Sequence, residues 1–272
     1  MAIRKVNKAS EIYKDLAIRV NNGELKNSDF INGRGSSKGL TRKRIQYVKR
    51  NLISYRKSFK SILDVGCGDG SFLVEFVEFC NDLYGVLPSE SEVNLTRSIL
   101  KNKKLDKSIK VIKGSTTEIN FKKKKYDCII CNGVFLIHGF TLEIVEESLE
   151  IFSKLQSKNG LLYIGEQPEI EEDYYRREKS ILKKIIYFIK GKNIKSLILI
   201  VYHYFLRLFS KRIFYRLSEN MFSIPINEFE KILNKYDYVI VKVFESSTNK
   251  IISDNEKNKK MLRRVDYLCR KK

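Results

Sequence analysis

The stretch ILDVGCGDGSFL, from Ile62 to Leu73, has the pattern of a short apolar strand, a glycine-rich turn and the start of a helix. Its three glycines at alternate positions permit a turn in which a ligand can approach the main chain closely. The N–H groups at the opening of the following helix would face that ligand with a partial positive charge. Because a strand precedes the glycines and a helix follows them, the pattern predicts an α/β domain that binds a ligand at this turn.

The spacing Asp-x-Gly-x-Gly-x-Gly, from Asp64 to Gly70, resembles the first motif of the class I S-adenosylmethionine-dependent methyltransferases. The resemblance extends over roughly residues 61–167. It implies a Rossmann-like, seven-stranded, mostly parallel sheet with helices on both faces, S-adenosylmethionine as the cofactor and S-adenosylhomocysteine as the product. It also implies that Gly66 and Gly68 cradle the methionine part while Asp64 holds the loop and the cofactor through hydrogen bonds. The full predicted cofactor site is Asp64, Gly66, Cys67, Gly68, Gly70, Leu87, Pro88, Ser115, Thr116 and Asn132.

Two positions depart from the family pattern. Leu87 stands where the family usually has an acid for the ribose hydroxyls, and Ser115 stands where it commonly has an aspartate for the adenine amino group. Glu90 or Glu92 could replace the first acid, or main chain and Ser89 could hold the ribose. We expect adenosine to be bound mainly through backbone and apolar contacts; the alternative is a relative without activity.

Strands and helices alternate along the chain, which predicts a parallel sheet with helices on both faces. The last predicted strand, Arg264–Cys269, is placed at an edge of the sheet, in an antiparallel hairpin that the family fold implies. Residues 1–60 are predicted to form an N-terminal helical lid or arm, with a disordered, solvated arm as the alternative. Residues 61–272 then form the methyltransferase domain, in which residues 170–222 are a helical cap insertion.

The formal net charge is +21, and two windows account for nearly all of it. Residues 30–63 and residues 179–216 each contain ten Lys or Arg and no acid. Such windows attract phosphorylated substrates, anionic membrane surfaces or nucleic acid, although a lysine-rich composition is the simpler alternative. The uncharged segment 196–206 is too short to span a bilayer. It is interpreted as part of the cap, with peripheral membrane contact as the alternative.

The five cysteines are an odd number, which suits free thiols better than a disulfide framework. Cys128 and Cys131 form a Cys-x-x-Cys pattern, but within a predicted strand residues three apart point to opposite faces. Core packing is therefore predicted and no metal site. The chain has no apolar run of about 20 residues and no recognisable signal peptide, so a cytoplasmic protein is expected.

A hydroxyl acceptor would need a base to take its proton, and His138 and Glu166 are the two candidates near the predicted cleft. The basic helical insertion followed by a Pro-x-Asn-Glu-Phe helix, from Pro225 to Phe229, also resembles bacterial enzymes that O-methylate saccharides or surface-glycan precursors, such as those of capsule polysaccharide biosynthesis. A small anionic or saccharide substrate is therefore expected. The tetrapeptide Asn132–Phe135 lacks the prolines of the amino-methylating DNA enzymes, which argues against a specific nucleic-acid partner. A lipid-linked or nucleic-acid substrate remains the alternative, and the oligomeric state is left open.

Overall fold

The computed structural model describes residues 3–6, 9–25, 38–119, 125–136, 140–169, 214–217, 222–257 and 264–272. The helices in this part of the chain are α1 (Ala9–Asn21), α2 (Lys38–Tyr55), α3 (Ser71–Val74), α4 (Glu90–Asn102), α5 (Leu142–Leu155), α6 (Ile226–Lys235) and α7 (Asp254–Lys257). The strands are β1 (Ile3–Val6), β2 (Phe59–Val65), β3 (Cys80–Leu87), β4 (Ile109–Lys113), β5 (Tyr126–Asn132), β6 (Gln156–Pro168), β7 (Phe214–Leu217), β8 (Tyr238–Glu245) and β9 (Arg264–Lys271).

Seven strands form one sheet in the order β4-β3-β2-β5-β6-β9-β8. The pairs among β2 to β6 are parallel, and β9 runs antiparallel to both of its neighbours. The strand order reverses between β2 and β5, where the chain crosses from one half of the sheet to the other. Ligands of such sheets bind beyond the carboxyl ends of the strands at this reversal. The predicted fold class, a seven-stranded mostly parallel Rossmann-like sheet, is confirmed.

The central strands have apolar side chains on both faces, and each face packs against helices through a cluster of its own. One cluster joins Leu63 and Ile129 to Val145 of α5 and Phe229 of α6. The other joins Ile62 to Leu52 of α2 and to side chains of α3 and α4. Each face therefore has its own layer of helices, as alternating strands and helices require.

The two cysteines of the Cys-x-x-Cys pattern lie on opposite faces of β5, as the strand period predicts. Cys128 belongs to the cluster under α2 and Cys131 to the cluster under α5. Both are buried free thiols, and burial raises the pKa of each well above its usual value. Core packing is confirmed for this pair.

The last strand corrects one expectation. β9 does not lie at an edge: it is inserted between β6 and β8, and β8 forms the edge. Val265, Tyr267 and Cys269 are completely buried, and so is Leu268 on the opposite face. A strand that is buried on both faces is typical of the interior of a sheet rather than its edge. The antiparallel hairpin of β8 and β9 is as expected.

The N-terminal helices pack onto this framework. α2 buries Val48 and Leu52 against the sheet, while α1 packs through Leu16 and Val20 on the outer side of α4. β1 pairs in parallel with β7 in a separate two-stranded sheet. The boundary at residue 60 stays a prediction, and most of the predicted cap, including residues 170–213, lies outside the described residues.

Candidate active site

The glycine loop after β2 is held by main-chain hydrogen bonds. Gly66, Gly68 and Gly70 all have positive φ, at 79°, 54° and 77°, a region that side chains disfavour. The N–H groups of Gly66 and Cys67 both donate to the carbonyl of Val86, at 2.9 and 3.3 Å. The loop is therefore tied to β3, and its remaining N–H groups lie at the start of α3.

Gly66 and Gly68 are glycines for two different structural reasons. A Cβ on Gly66 would come within 2.5 Å of Val134 Cγ2, so this glycine lets the segment after β5 approach the loop. A Cβ on Gly68 would meet nothing within 4 Å. Gly68 therefore borders open space, where a ligand can lie directly on the main chain.

Three further residues hold the loop from below. Gly85 of β3 makes room for the Cys67 side chain, whose Sγ would lie 2.5 Å from a Cβ at that position. Thr96 of α4 donates its hydroxyl to the Gly68 carbonyl at 2.6 Å. Asp69 accepts from the N–H and the hydroxyl of Ser71 at 3.1 and 2.6 Å. The loop is thus fixed before any ligand arrives.

Asp64 is the unusual group of this site. Its side chain is buried, and its Oδ2 has no hydrogen-bond partner among the described residues. Burial, together with the nearby charge of Asp69, raises the pKa of Asp64 to about 8. A buried carboxyl without a donor is costly, so it fits a ligand that brings a donor or a cation to the loop.

The end of β3 carries no carboxylate on the strand itself. Leu87 is buried in the core, and its carbonyl accepts the Gly114 N–H at 2.9 Å, while Pro88 is exposed. Of the two acids considered as replacements, Glu90 is exposed and Glu92 is buried. Glu92 lies 2.5 Å from Ser89 Oγ, which also caps α4. Burial, partly offset by Ser89, raises the pKa of Glu92 to about 7.

The end of β4 presents small hydroxyl side chains. Thr116 is buried, and Ser115 Oγ lies 3.3 Å from Thr117 Oγ1. The N–H of Ser115 donates to the Glu118 carbonyl at 3.2 Å, which closes a tight turn. Ser115, Thr116 and Thr117 thus offer uncharged hydroxyl groups at the end of β4, and the carboxylate of this turn belongs to the exposed Glu118.

Asn132 ends β5 and is hydrogen-bonded to Arg44, which the sequence identifies only as one cation of the basic window 30–63. Arg44 of α2 donates to Asn132 Oδ1 from Nε at 3.1 Å and from Nη2 at 2.6 Å. A Cβ at position 165 would collide with both Asn132 Oδ1 and Arg44 Nη2, so Gly165 is required for this contact. The end of β5 is thereby linked to the N-terminal helix.

The same guanidinium binds Asp266, which is completely buried in β9. Nη1 pairs with Oδ2 in a short contact, and Nη2 donates to Oδ1 at 2.8 Å. Asp266 also accepts from Tyr163 at 2.8 Å and Ser246 at 2.5 Å. Burial alone would lower the pKa of Arg44, but the Asp266 charge more than offsets it and holds that pKa above its usual value.

Of the two candidate bases, only Glu166 lies within the described residues; His138 is outside them. Glu166 has a φ of 59° at an irregularity where the pairing of β6 with β9 shifts register. Its N–H donates to Asp266 Oδ1 at 2.8 Å, and its carboxylate lies 4.0 Å from the Arg264 guanidinium. The Glu166 carboxylate is therefore at the carboxyl edge, beside a cation.

The described site residues lie at or just beyond the carboxyl ends of β2, β3, β4, β5 and β6. These five strands are neighbours in the sheet, in the order β4-β3-β2-β5-β6. A separate surface cavity of about 300 Å³, lined by Cys80, Tyr84 and Lys107 among others, opens at the opposite edge. This cavity lies away from the glycine loop. The buried Asp64 Oδ2 and the open space beside Gly68 favour the loop as the ligand site. No group of three or more metal-ligating side chains occurs within the described ranges.

Sequence reasoning missed Arg44, Thr96 and Asp266. Asp266 is the single acid of the final strand and lies among the apolar residues Val265, Tyr267, Leu268 and Cys269. This was a usable signal, because an acid in a buried strand needs a partner. The identity of that partner, 222 positions away in the chain, had no sequence signal.

Within the described ranges, no helix combines the length and the apolar composition that a membrane span requires.

Comparison with known proteins agrees with this geometry. Residues 62–160 match the family model described as "Methyltransferase domain". The ubiquinone biosynthesis O-methyltransferase of Pelagibacter ubique is 30% identical over 136 residues, which are 45% of this chain and 51% of that protein. The chain spans about half the length of the curated relatives it matches, 41% and 51%.

Two solved structures share the fold. Magnesium protoporphyrin IX methyltransferase from Synechocystis PCC 6803, with bound S-adenosylhomocysteine, has a TM-score of 0.58 at 15% identity, covering 96% of this chain and 99% of that one. The N-methyltransferase NodS from Bradyrhizobium japonicum WM9 has a TM-score of 0.55 at 12% identity, covering 88% and 90%. The chain thus contains, over residues 62–160, a segment that matches the methyltransferase domain family, within a fold shared by methyltransferases of known structure.

Proposed function

We propose that this protein is an S-adenosylmethionine-dependent methyltransferase that methylates a hydroxyl group of a small saccharide or phosphate-bearing acceptor. The observation that carries the proposal is the glycine loop at the reversal of strand order. There the buried Asp64 Oδ2 has no donor among the described residues, and Gly68 borders open space. The match of residues 62–160 to a methyltransferase domain supports the same assignment.

The residues present fit this cofactor. Asp64 would accept from its ammonium group, and the main chain at Gly68 would lie against its amino-acid part. When bound, the cofactor supplies an electrophilic methyl group on a sulfonium. With no acid at Leu87 or at Ser115, the adenosine would be held by the turn of β4 and by apolar contacts, with Glu92 as the carboxyl that could reach the ribose.

The protein's own part in the reaction is alignment of the acceptor, exclusion of water and removal of a proton. Glu166 is the described carboxylate at the carboxyl edge that could take the proton of a hydroxyl. His138 remains the second proposed base, outside the described residues. The exposed cations of α2, Arg42, Lys43 and Arg50, would attract an anionic acceptor to this edge.

The first test is cofactor binding by the Gly68→Val variant. The branched side chain would occupy the space beside the main chain, so we expect S-adenosylmethionine affinity to fall beyond detection by calorimetric titration. Gly23→Val is the matched control, because Gly23 also has a positive φ, of 75°, and open space around its Cβ position. The two variants share the cost of backbone strain, about 1–2 kcal/mol, but the control should bind the cofactor normally. Equal affinity in a folded Gly68→Val protein would refute the assignment.

The acceptor is tested by measuring S-adenosylhomocysteine release in a screen of hydroxylated saccharides and their phosphates. Turnover with a phosphorylated sugar that weakens with added salt would support the proposal, since salt screens exposed cations. Turnover only with vesicle-bound lipid, or a sub-micromolar specific complex with RNA or DNA at physiological salt, would show that the acceptor class is different.

A further inference from the structure

The contact between Arg44 and Asn132 fixes which way the Asn132 amide faces. Arginine has only donors, so the atom that meets its Nε and Nη2 must be the amide oxygen. Oδ1 receives both donors, at 3.1 and 2.6 Å. The amide N–H₂ group is consequently turned away from α2, and it donates to none of the described residues.

This orientation is held by a buried framework. The Arg44 side chain is 11% exposed and Asp266 is 0% exposed. Asp266 is in turn fixed by Tyr163, Ser246 and the N–H of Glu166. The guanidinium therefore has one available position, and Asn132 inherits its orientation from it.

Asn132 lies close to Asp64 on the same face of the sheet. Asp64 is paired in register with Ile130 on the neighbouring parallel strand, and Asn132 is two residues beyond Ile130. With a strand spacing of about 4.8 Å and a rise of about 3.3 Å per residue, the two Cα atoms are about 8 Å apart. An acceptor carboxyl whose Oδ2 has no described donor and a donor amide without a described acceptor thus lie on neighbouring strands, on one face and two residues apart in register.

We propose that Arg44 is a positioning residue that turns the Asn132 amide so that its N–H₂ group binds the carboxylate of the cofactor's amino-acid part, opposite Asp64. This inference rests on the proposed function. It assigns the two charges of the cofactor's amino-acid part to two side chains, with the ammonium at Asp64 and the carboxylate at Asn132. It also makes cofactor binding dependent on the docking of α2.

The test compares S-adenosylmethionine with its decarboxylated analogue, which keeps the ammonium and loses the carboxylate. In Arg44→Lys the charge beside Asp266 remains, but the fork that also holds Asn132 is lost. We expect affinity for S-adenosylmethionine to fall about tenfold, the effect of roughly one charge-assisted hydrogen bond. Affinity for the analogue should be unchanged, and Asn132→Ala should give the same pattern.

The double variant decides whether Arg44 acts through Asn132. Adding Arg44→Lys to Asn132→Ala should cause no further loss of affinity, because the intermediary is already absent. Arg97→Lys is the matched control, since Arg97 donates from Nε and Nη2 to the Val111 carbonyl, at 3.1 and 2.7 Å, away from Asn132. This control should bind both ligands as the wild type does.

Equal losses for the two ligands, or additive losses in the double variant, would overturn the inference and indicate a merely structural role. If Arg44→Lys does not fold, Gly165→Ala takes its place in both comparisons, because the added Cβ would collide with Asn132 Oδ1 and Arg44 Nη2 and so disturb the contact between them. A wild-type protein that binds neither ligand would refute the proposed function itself. A wild-type protein that binds S-adenosylmethionine, with Arg44→Lys unaffected, would refute only the positioning role.

Discussion

In the Asp64→Asn variant we expect S-adenosylmethionine affinity to fall at least about tenfold while the folded protein becomes more stable. The loss follows because the neutral amide replaces the acceptor of a charge-assisted hydrogen bond, typically worth about 1.5–3 kcal/mol. The gain follows from burial, which raises the pKa of Asp64 from 3.8 to about 8. At neutral pH the folded protein must therefore keep this carboxyl protonated, and asparagine removes that cost.

The pH dependence has a definite sign. Between pH 4 and 8 the unfolded chain has released the Asp64 proton while the folded protein retains it, so this group makes stability fall as pH rises through that window. Asp64→Asn should therefore be close to wild type near pH 4, and more stable by up to about 4 kcal/mol at pH 7. Urea unfolding across this range measures the difference.

Cofactor binding provides a second measurement on the same group. Below pH 8 the wild type should release about one proton when the ammonium of the cofactor arrives, since an adjacent cation favours the carboxylate. Calorimetry in buffers of different ionisation enthalpy detects this proton, and Asp64→Asn should lack it. Asp127→Asn is the control, because Asp127 accepts the Lys60 N–H at 2.8 Å at the other edge of the sheet. A variant of Asp64 that binds the cofactor normally would contradict the role assigned here.

Asp266→Ala should be the most destabilising single substitution of the site, at about 3–5 kcal/mol. It leaves the Arg44 charge buried without its counter-charge, and it removes the acceptor of Tyr163 and Ser246. Such a loss is a large part of the 5–15 kcal/mol that typically stabilises a protein. The free energy of unfolding in urea is the measurement.

An exposed ion pair provides the control for Asp266→Ala. Glu146 pairs with Lys235 at 2.8 Å, and the lysine side chain is 59% exposed, so Glu146→Ala should cost less than about 1 kcal/mol. Adding Arg44→Met to Asp266→Ala should restore part of the lost stability, because the uncompensated charge is then absent. A change below 1 kcal/mol in Asp266→Ala, or no recovery in the double variant, would show that this buried pair does not stabilise the fold.

The sequence by itself determined the fold class and the location of the glycine loop. The segment from Asp64 to Gly70 is local, and its apolar strand, its turn glycines and its helix start are specified by neighbouring residues. The burial of Cys128 and Cys131 on opposite faces also followed from the two-residue period of a strand. Such features need no knowledge of distant parts of the chain.

Only the tertiary structure decided the position of β9 and the partners of Arg44. Sequence placed Arg264–Cys269 last in the chain and hence at an edge, but hydrogen bonding inserted it between β6 and β8. Sequence likewise counted Arg44 as one cation of a basic window. Its partners Asn132 and Asp266 lie 88 and 222 positions away, and pairings between distant residues arise when packing excludes water from them, which no local pattern encodes.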